Sequence, residues 1–115
     1  MQIYNVAKDT WSFGTPMPTL ARANLALARC KSVILALGGR TGPASSAPGI
    51  SSTKIVEAYE IHKDEWVGGL TPMPTFKSEH GAVSHEGVVH VLGSGIFGSP
   101  QNFHEALTCS SLFKK

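Results

Sequence analysis

Five histidines and two cysteines are the side chains of this 115-residue protein best suited to hold a metal or act as a nucleophile. His80, His85 and His90 lie close together in sequence. A hairpin turning at Glu86 would set His80 and His90 on one face as diagonal neighbours, with His85 in the turn. Zinc sites take three or four protein ligands, and no third ligand can be placed, so these residues are expected to be hydrogen-bonded or surface histidines and no metal is expected. Cys30 and Cys109 show no CxxC spacing, so the count suggests neither a disulfide framework nor a zinc site. Two unpaired thiols are expected, as in a reducing compartment. Cys30, His62 and His104 form no recognisable nucleophile constellation. The doublet Gly38-Gly39 is followed by no helical pattern and belongs to no GxGxxG or P-loop motif, so it reads as a strand-end turn. No catalytic residue and no cofactor follow from these groups.

Binding chemistry has better candidates. The segment Arg40 to Lys54, RTGPASSAPGISSTK, is a long small-residue loop between apolar runs, and loops of that length are commonly functional or mobile. Arg40, Thr41, Ser45 and Ser46 in it, with Arg22 and Lys77 at the starts of neighbouring strands, would place basic and hydroxyl groups on one face. Such groups hydrogen-bond an acidic or polar segment of a protein or peptide partner. GSGIFGSPQNF after Leu92 is expected to be a loop of similar character. Lys+Arg 10 against Asp+Glu 8 give a net charge of +2, no field for steering a nucleic acid. The longest apolar run, Val33 to Leu37, is far short of the ~18 residues of a membrane span. Met1-Gln2-Ile3-Tyr4 lacks the features of a secretory signal, so a soluble cytoplasmic protein is expected.

The elements that carry these groups are set by an internal repeat. Tyr4, Lys8, Asp9 and Trp11 recur as Tyr59, Lys63, Asp64 and Trp66 at an offset of 55. Thr15-Pro16-Met17-Pro18-Thr19 recurs unchanged as Thr71-Pro72-Met73-Pro74-Thr75 at an offset of 56, and Val33 to Leu37 before Gly38-Gly39 matches Val88 to Leu92 before Gly93-Ser94. Alternating and short apolar runs bounded by turn residues predict strands. One period holds four in an up-and-down meander: Arg22 to Ala28, Val33 to Leu37, Ile55 to Ile61, and Trp66 onward. Asp9 and Asp64 fall at tight turns. Tyr4, Trp11, Tyr59 and Trp66 recur in strand register and are expected to be largely buried between neighbouring sheets.

Val33 to Leu37, Gly38-Gly39, Tyr59 and Trp66 together resemble the Kelch repeat, with Tyr4, Trp11 and Gly93 as the matching positions of partial repeats. The second doublet departs from the pattern as Gly93-Ser94, and no Tyr and Trp at the proper spacing follow it. The resemblance implies an all-β chain of four-stranded antiparallel β-propeller blades. About two blades are expected: residues 1–21 end one, 22–76 make a full one, and 77–115 start another. The missing blades would come from a longer chain or from homo-oligomerisation, with Val88 to Leu92 of one copy pairing with Ile3 to Val6 of the next. Kelch propellers commonly bind a protein or peptide on the loop-bearing face, which implies a non-enzymatic scaffold or substrate receptor. The alternatives are part of a propeller enzyme similar to galactose oxidase or a sialic-acid epimerase, or an inactive truncated fragment.

Overall fold

The computed structural model describes residues 1–18, 21–41, 52–96 and 99–113. Ser45 and Ser46 lie outside the described residues. Nine strands run in chain order: β1 (Gln2–Asn5), β2 (Thr10–Phe13), β3 (Ala26–Cys30), β4 (Val33–Leu37), β5 (Val56–Glu60), β6 (Glu65–Val67), β7 (Gly81–His85), β8 (Val88–Ile96) and β9 (Ser99–Thr108). A short 3-10 turn, Cys109–Phe113, follows. The strands form three antiparallel sheets, β1-β2, β3-β4-β5-β6 and β7-β8-β9. The chain is therefore all-β, and no helix among the described residues is long and apolar enough to cross a membrane.

Sequence periodicity explains the layering. In β3, Ala26, Ala28 and Cys30 are buried while Leu27 and Arg29 face outward, the alternation of a strand with one covered face. β4 and β5 are buried along nearly their whole length, consistent with a sheet covered on both sides. The core lies between the four- and three-stranded sheets. Ala28, Val33, Leu35, Leu37, Val56 and Ala58 from one side meet Val89 and Val91 from the other, with Met73 between them.

The repeat is also visible in the backbone. Asp9 and Asp64, Asn24 and Glu79, and Lys31 and Glu86 all have positive φ, and each pair is separated by the sequence period. At the β7–β8 turn Glu86 (φ 48°) and Gly87 (φ 79°) give the two positive angles of a tight hairpin turn. The glycine doublet answers a steric demand. Gly38 has φ +62°, and a Cβ there would lie 2.7 Å from the Lys77 carbonyl oxygen and 2.8 Å from Met73 Cε. A Cβ on Gly39 would meet the Ala23 carbonyl oxygen at 2.8 Å. Ser94, at the position matching Gly39, lies outside the positive-φ region, and its buried hydroxyl donates to the Ser78 carbonyl at 3.3 Å.

Several expectations are corrected. Strand bounds shift, with β3 running from Ala26 to Cys30 instead of from Arg22 to Ala28 and β6 confined to Glu65–Val67. The segment after Leu92 is not a loop: β8 continues through a register shift between Leu92 and Ser94, at a Gly93 with φ 76°, and pairs with β9. The outer edge of β8 is thereby covered, so Val88 to Leu92 is not open to Ile3 to Val6 of another copy. Tyr4 and Trp11 are 42% and 69% exposed, because their hairpin is covered on neither face by another described sheet. Tyr59, at the matching position of the four-stranded sheet, is buried at 3%.

The cysteines are not free thiols. Cys30 at the end of β3 and Cys109 just after β9 are joined in a disulfide across a sequence separation of 79, their Cα atoms 5.7 Å apart. The two are brought together because the β3–β4 and β7–β8 turns stack at one end of the paired sheets, where the Cys109 N–H also donates to the Gly87 carbonyl. With that bond the thiol-based argument for a reducing compartment falls away.

Candidate functional site

The segment between β4 and β5 is rooted by a ladder of isolated bridges. Arg40 pairs with Ala23 on one side and Ser52 on the other, and Thr53 pairs with Lys77. The Arg40 N–H donates to the Ala23 carbonyl at 2.8 Å, and the Thr53 N–H donates to the Gly39 carbonyl at 2.9 Å. Below this ladder the hydroxyls of Ser52 and Ser78 are hydrogen-bonded at 2.9 Å. The lead-ins of two sheets are thus stitched to the base of one loop.

The three basic residues expected to share this face part company. Arg22 is buried, and its Nη2 donates to Glu57 Oε1 at 2.9 Å, with both side chains at most 1% exposed. Burial pulls the guanidinium below its ordinary range, and the Glu57 charge opposes that pull. Lys77 is likewise wholly buried. Its Nζ donates to Thr75 Oγ1 at 2.8 Å, lies 3.5 Å from Glu105 Oε2, and sits over the Phe103 ring. These two pairs are one device used twice. Lys77 is one period from Arg22, and Glu105 stands opposite Val91 in β9 as Glu57 stands opposite Ala36 in β5. The charges expected to reach a partner are consumed inside the chain, because each must neutralise a carboxylate that its neighbouring strand buries.

Arg40 differs. It is half-buried, forms no ion pair among the described residues, and its buried Nε has no hydrogen-bond partner. Beside the Thr53–Lys77 bridge, Lys54 Nζ lies 4.8 Å from the centre of the Phe76 ring, and Phe76 is 51% exposed. Thr41 is half-buried next to Arg40. Phe76 and Lys54 were not singled out by sequence reasoning. A signal was present: Phe76 directly follows the repeated Thr71–Thr75 motif and interrupts an otherwise polar stretch.

A second constellation lies between β1-β2 and the four-stranded sheet. The Thr15 N–H donates to Asp64 Oδ1 at 2.9 Å, the Thr15 hydroxyl donates to the Asp64 carbonyl at 2.9 Å, and Trp66 Nε1–H donates to the Thr15 carbonyl at 2.7 Å. Tyr59 donates its hydroxyl to Asp64 Oδ1 at 2.6 Å. Asp64 is held below the usual carboxylate range, first by the Tyr59 hydroxyl and then by the Thr15 N–H. A carboxylate depressed in the folded state stabilises fully above its unfolded pKa of about 4, and that contribution is lost as pH falls through the folded value. As pH falls below about 4 the Thr15 segment is expected to release from the sheet before the core unfolds, read as loss of the hydrogen-bonded Trp66 indole N–H signal by NMR. Release at the same pH in an Asp64→Asn variant would show that another group governs it.

Among the histidines the structure replaces one juxtaposition by another. His80 lies outside the strands and donates Nε2–H to the Leu37 carbonyl at 3.0 Å, with burial holding its pKa below the ordinary imidazole value. His90 meets His104 across β8 and β9, Nδ1 to Nε2 at 3.0 Å. The ring-centre separation of 5.3 Å is what a head-on N···N contact gives once the radius of each ring is added. One nitrogen therefore donates to the other, and the lone pairs do not converge on a common point as chelation requires. Among the described residues no group of three or more His, Cys, Asp or Glu side chains is placed to hold a metal ion.

Comparison of the chain with family models finds no match. Comparison with curated proteins finds no relative.

Proposed function

We propose that this chain is a portion of a Kelch-type β-propeller that acts as a non-enzymatic interaction module, binding an acidic or polar segment of a protein partner at the loop base formed by Arg40 and Thr41. Arg40 carries the reading. Of the three cations at the starts and ends of these strands it alone has no carboxylate partner among the described residues, while Arg22 and Lys77 are each committed to a buried glutamate. A half-buried guanidinium with no ion pair among the described residues is suited to charge-assisted recognition of a carboxylate, and Phe76, under Lys54 near the Thr53–Lys77 bridge, exposes apolar area. In the propeller reading, β1-β2 ends one blade, β3 to β6 form a full blade, and β7 to β9 supply three strands of the next.

The test is a screen of the chain against an immobilised library of acidic peptides, with Arg40→Ala and Arg40→Lys measured beside the wild type. A hydrogen bond to a charged group contributes about 1.5–3 kcal/mol, so Arg40→Ala is expected to weaken a selected peptide by roughly 10- to 100-fold. The lysine variant should retain part of the affinity. No selective peptide, or equal affinity in the alanine variant, would remove the proposal.

A further inference from the structure

The Thr15 segment is held by a receptor made of Tyr59, Asp64 and Trp66 at the β5–β6 turn. The chain carries a second receptor of the same composition. Tyr4, Asp9 and Trp11 occupy the matching positions of the β1–β2 turn, Asp9 has the same positive φ of 51° as Asp64, and the Tyr4 hydroxyl already donates to Asp9 Oδ1. The Tyr4–Trp11 and Tyr59–Trp66 ring pairs have nearly the same spacing and tilt, 5.1 Å and 42° against 5.3 Å and 47°. The two differ in occupancy. No segment from another sheet reaches Asp9 or Trp11 among the described residues, and both are exposed.

The chain also carries a second donor. Thr71–Thr75 repeats Thr15–Thr19 residue for residue, and Thr71 and Pro72 are exposed, with no hydrogen bond from Thr71 among the described residues. The sheet that follows this donor gives it nothing to dock on. β9 places Leu107 where β5 has Tyr59, and in place of a turn with Asp and Trp it runs into Cys109 and the disulfide. Thr71 to Pro74 instead line, with Glu105 and Leu107, an open cavity of about 190 Å³. The receptor lies at the β1–β2 turn and the donor lines the cavity between the four- and three-stranded sheets, and no hydrogen bond joins the two among the described residues.

We infer that the Tyr4–Asp9–Trp11 corner is a binding site for the Thr71–Pro72 segment of a second copy of this chain. The Thr71 N–H would donate to the Asp9 carboxylate, its hydroxyl would donate to the Asp9 carbonyl, and the Trp11 indole N–H would donate to the Thr71 carbonyl. This repeats in trans three of the contacts that Thr15 makes in cis. The contact is heterologous, joining unlike surfaces head to tail, so each copy keeps one free receptor and one free donor until a ring closes. It needs neither the Arg40 face nor any peptide ligand, so it stands or fails apart from the proposed function.

The experiment is absolute mass by light scattering after size exclusion over a range of concentrations. Wild type is expected to pass from 12.2 kDa to integer multiples as concentration rises. A receptor variant, Asp9→Asn with Trp11→Phe, keeps the turn and the ring stacking but removes the charge and the indole N–H. A donor variant, Thr71→Val, keeps the shape and removes the hydroxyl. Each alone should remain a monomer at concentrations where wild type assembles. Mixed in equal amounts they should give twice the chain mass and stop there, since one intact pairing remains between them. Circular dichroism melts matching wild type establish that both variants are folded. A monomeric wild type at every concentration, variants that assemble as wild type does, or a mixture that stays monomeric would each overturn the inference.

Discussion

Replacing Glu57 by Ala is expected to lower the unfolding free energy by about 3–5 kcal/mol, the range found when one partner of a buried ion pair is removed and the other charge is left behind. Arg22 is the charge left behind. Its side chain is fully buried, its remaining hydrogen bonds among the described residues are to the Ile55 carbonyl at 3.3 Å and the Met17 sulfur at 3.5 Å, and neither compensates a cation. A urea titration of wild type and Glu57→Ala measures the loss directly. The double variant Arg22→Met with Glu57→Leu should recover most of it, because apolar side chains of similar volume carry no desolvation cost at that position. A loss below about 1 kcal/mol in Glu57→Ala would put the pair in the range of exposed salt bridges and contradict its burial. Glu105→Ala is expected to cost less than Glu57→Ala. The Glu105 side chain is 15% exposed, and Lys77 keeps its bond to Thr75 and its place over Phe103 when the carboxylate is gone.

These pairs show which features of the fold sequence reasoning could reach. Strands β1 to β7 and β8 as far as Leu92 were legible because apolar alternation and turn residues recur with the period, and a repeat tests each assignment twice. β9 was not. Its His104-Glu105-Ala106-Leu107-Thr108 aligns in register with Val56-Glu57-Ala58-Tyr59-Glu60 of β5, yet only Glu and Ala are shared, and a shorter connection breaks the sequence period. The aromatic anchors that identify the strand elsewhere are absent from it. Arg22 and Lys77 were legible as a repeated basic position, but their role depends on a carboxylate that arrives from another strand. A basic residue looks the same in sequence whether it meets solvent or a buried glutamate. Arg40 is half-buried and meets no carboxylate among the described residues. For Tyr4 and Trp11 the repeat predicted burial between sheets wrongly, and the two rings pack on each other within an exposed hairpin. Burial of the matching Tyr59 comes from a neighbouring segment that the first hairpin does not have among the described residues.

Loss of the Cys30–Cys109 bond is expected to be the other change the fold tolerates least. The bond closes a loop of 79 residues. Chain-entropy arguments give about 4.5 kcal/mol for a closure of that length. Domains of this size have total stabilities of about 5–15 kcal/mol, so that share is large. Its position adds to the effect. Cys30 ends β3 and Cys109 follows β9, so the bond clamps the end of the interface in which Val33, Leu35 and Ala58 meet Val89 and Val91, and both sulfurs sit within that buried cluster. The paired substitution Cys30→Ala with Cys109→Ala should lower the urea midpoint and steepen the slope, because the unfolded chain is no longer held compact by the crosslink, and both changes should equal those produced in wild type by dithiothreitol. Dithiothreitol should then have no effect on the double variant. If reductant and substitution both leave the midpoint in place, the contribution assigned to the bond is wrong, and apolar contact between the sheets holds them together unaided. If only the three-stranded sheet loses its slow-exchanging amides on reduction, the bond acts as the staple of that sheet. The four-stranded sheet, carrying the Arg22–Glu57 pair and the docked Thr15 segment, would then be the part that folds first and holds longest.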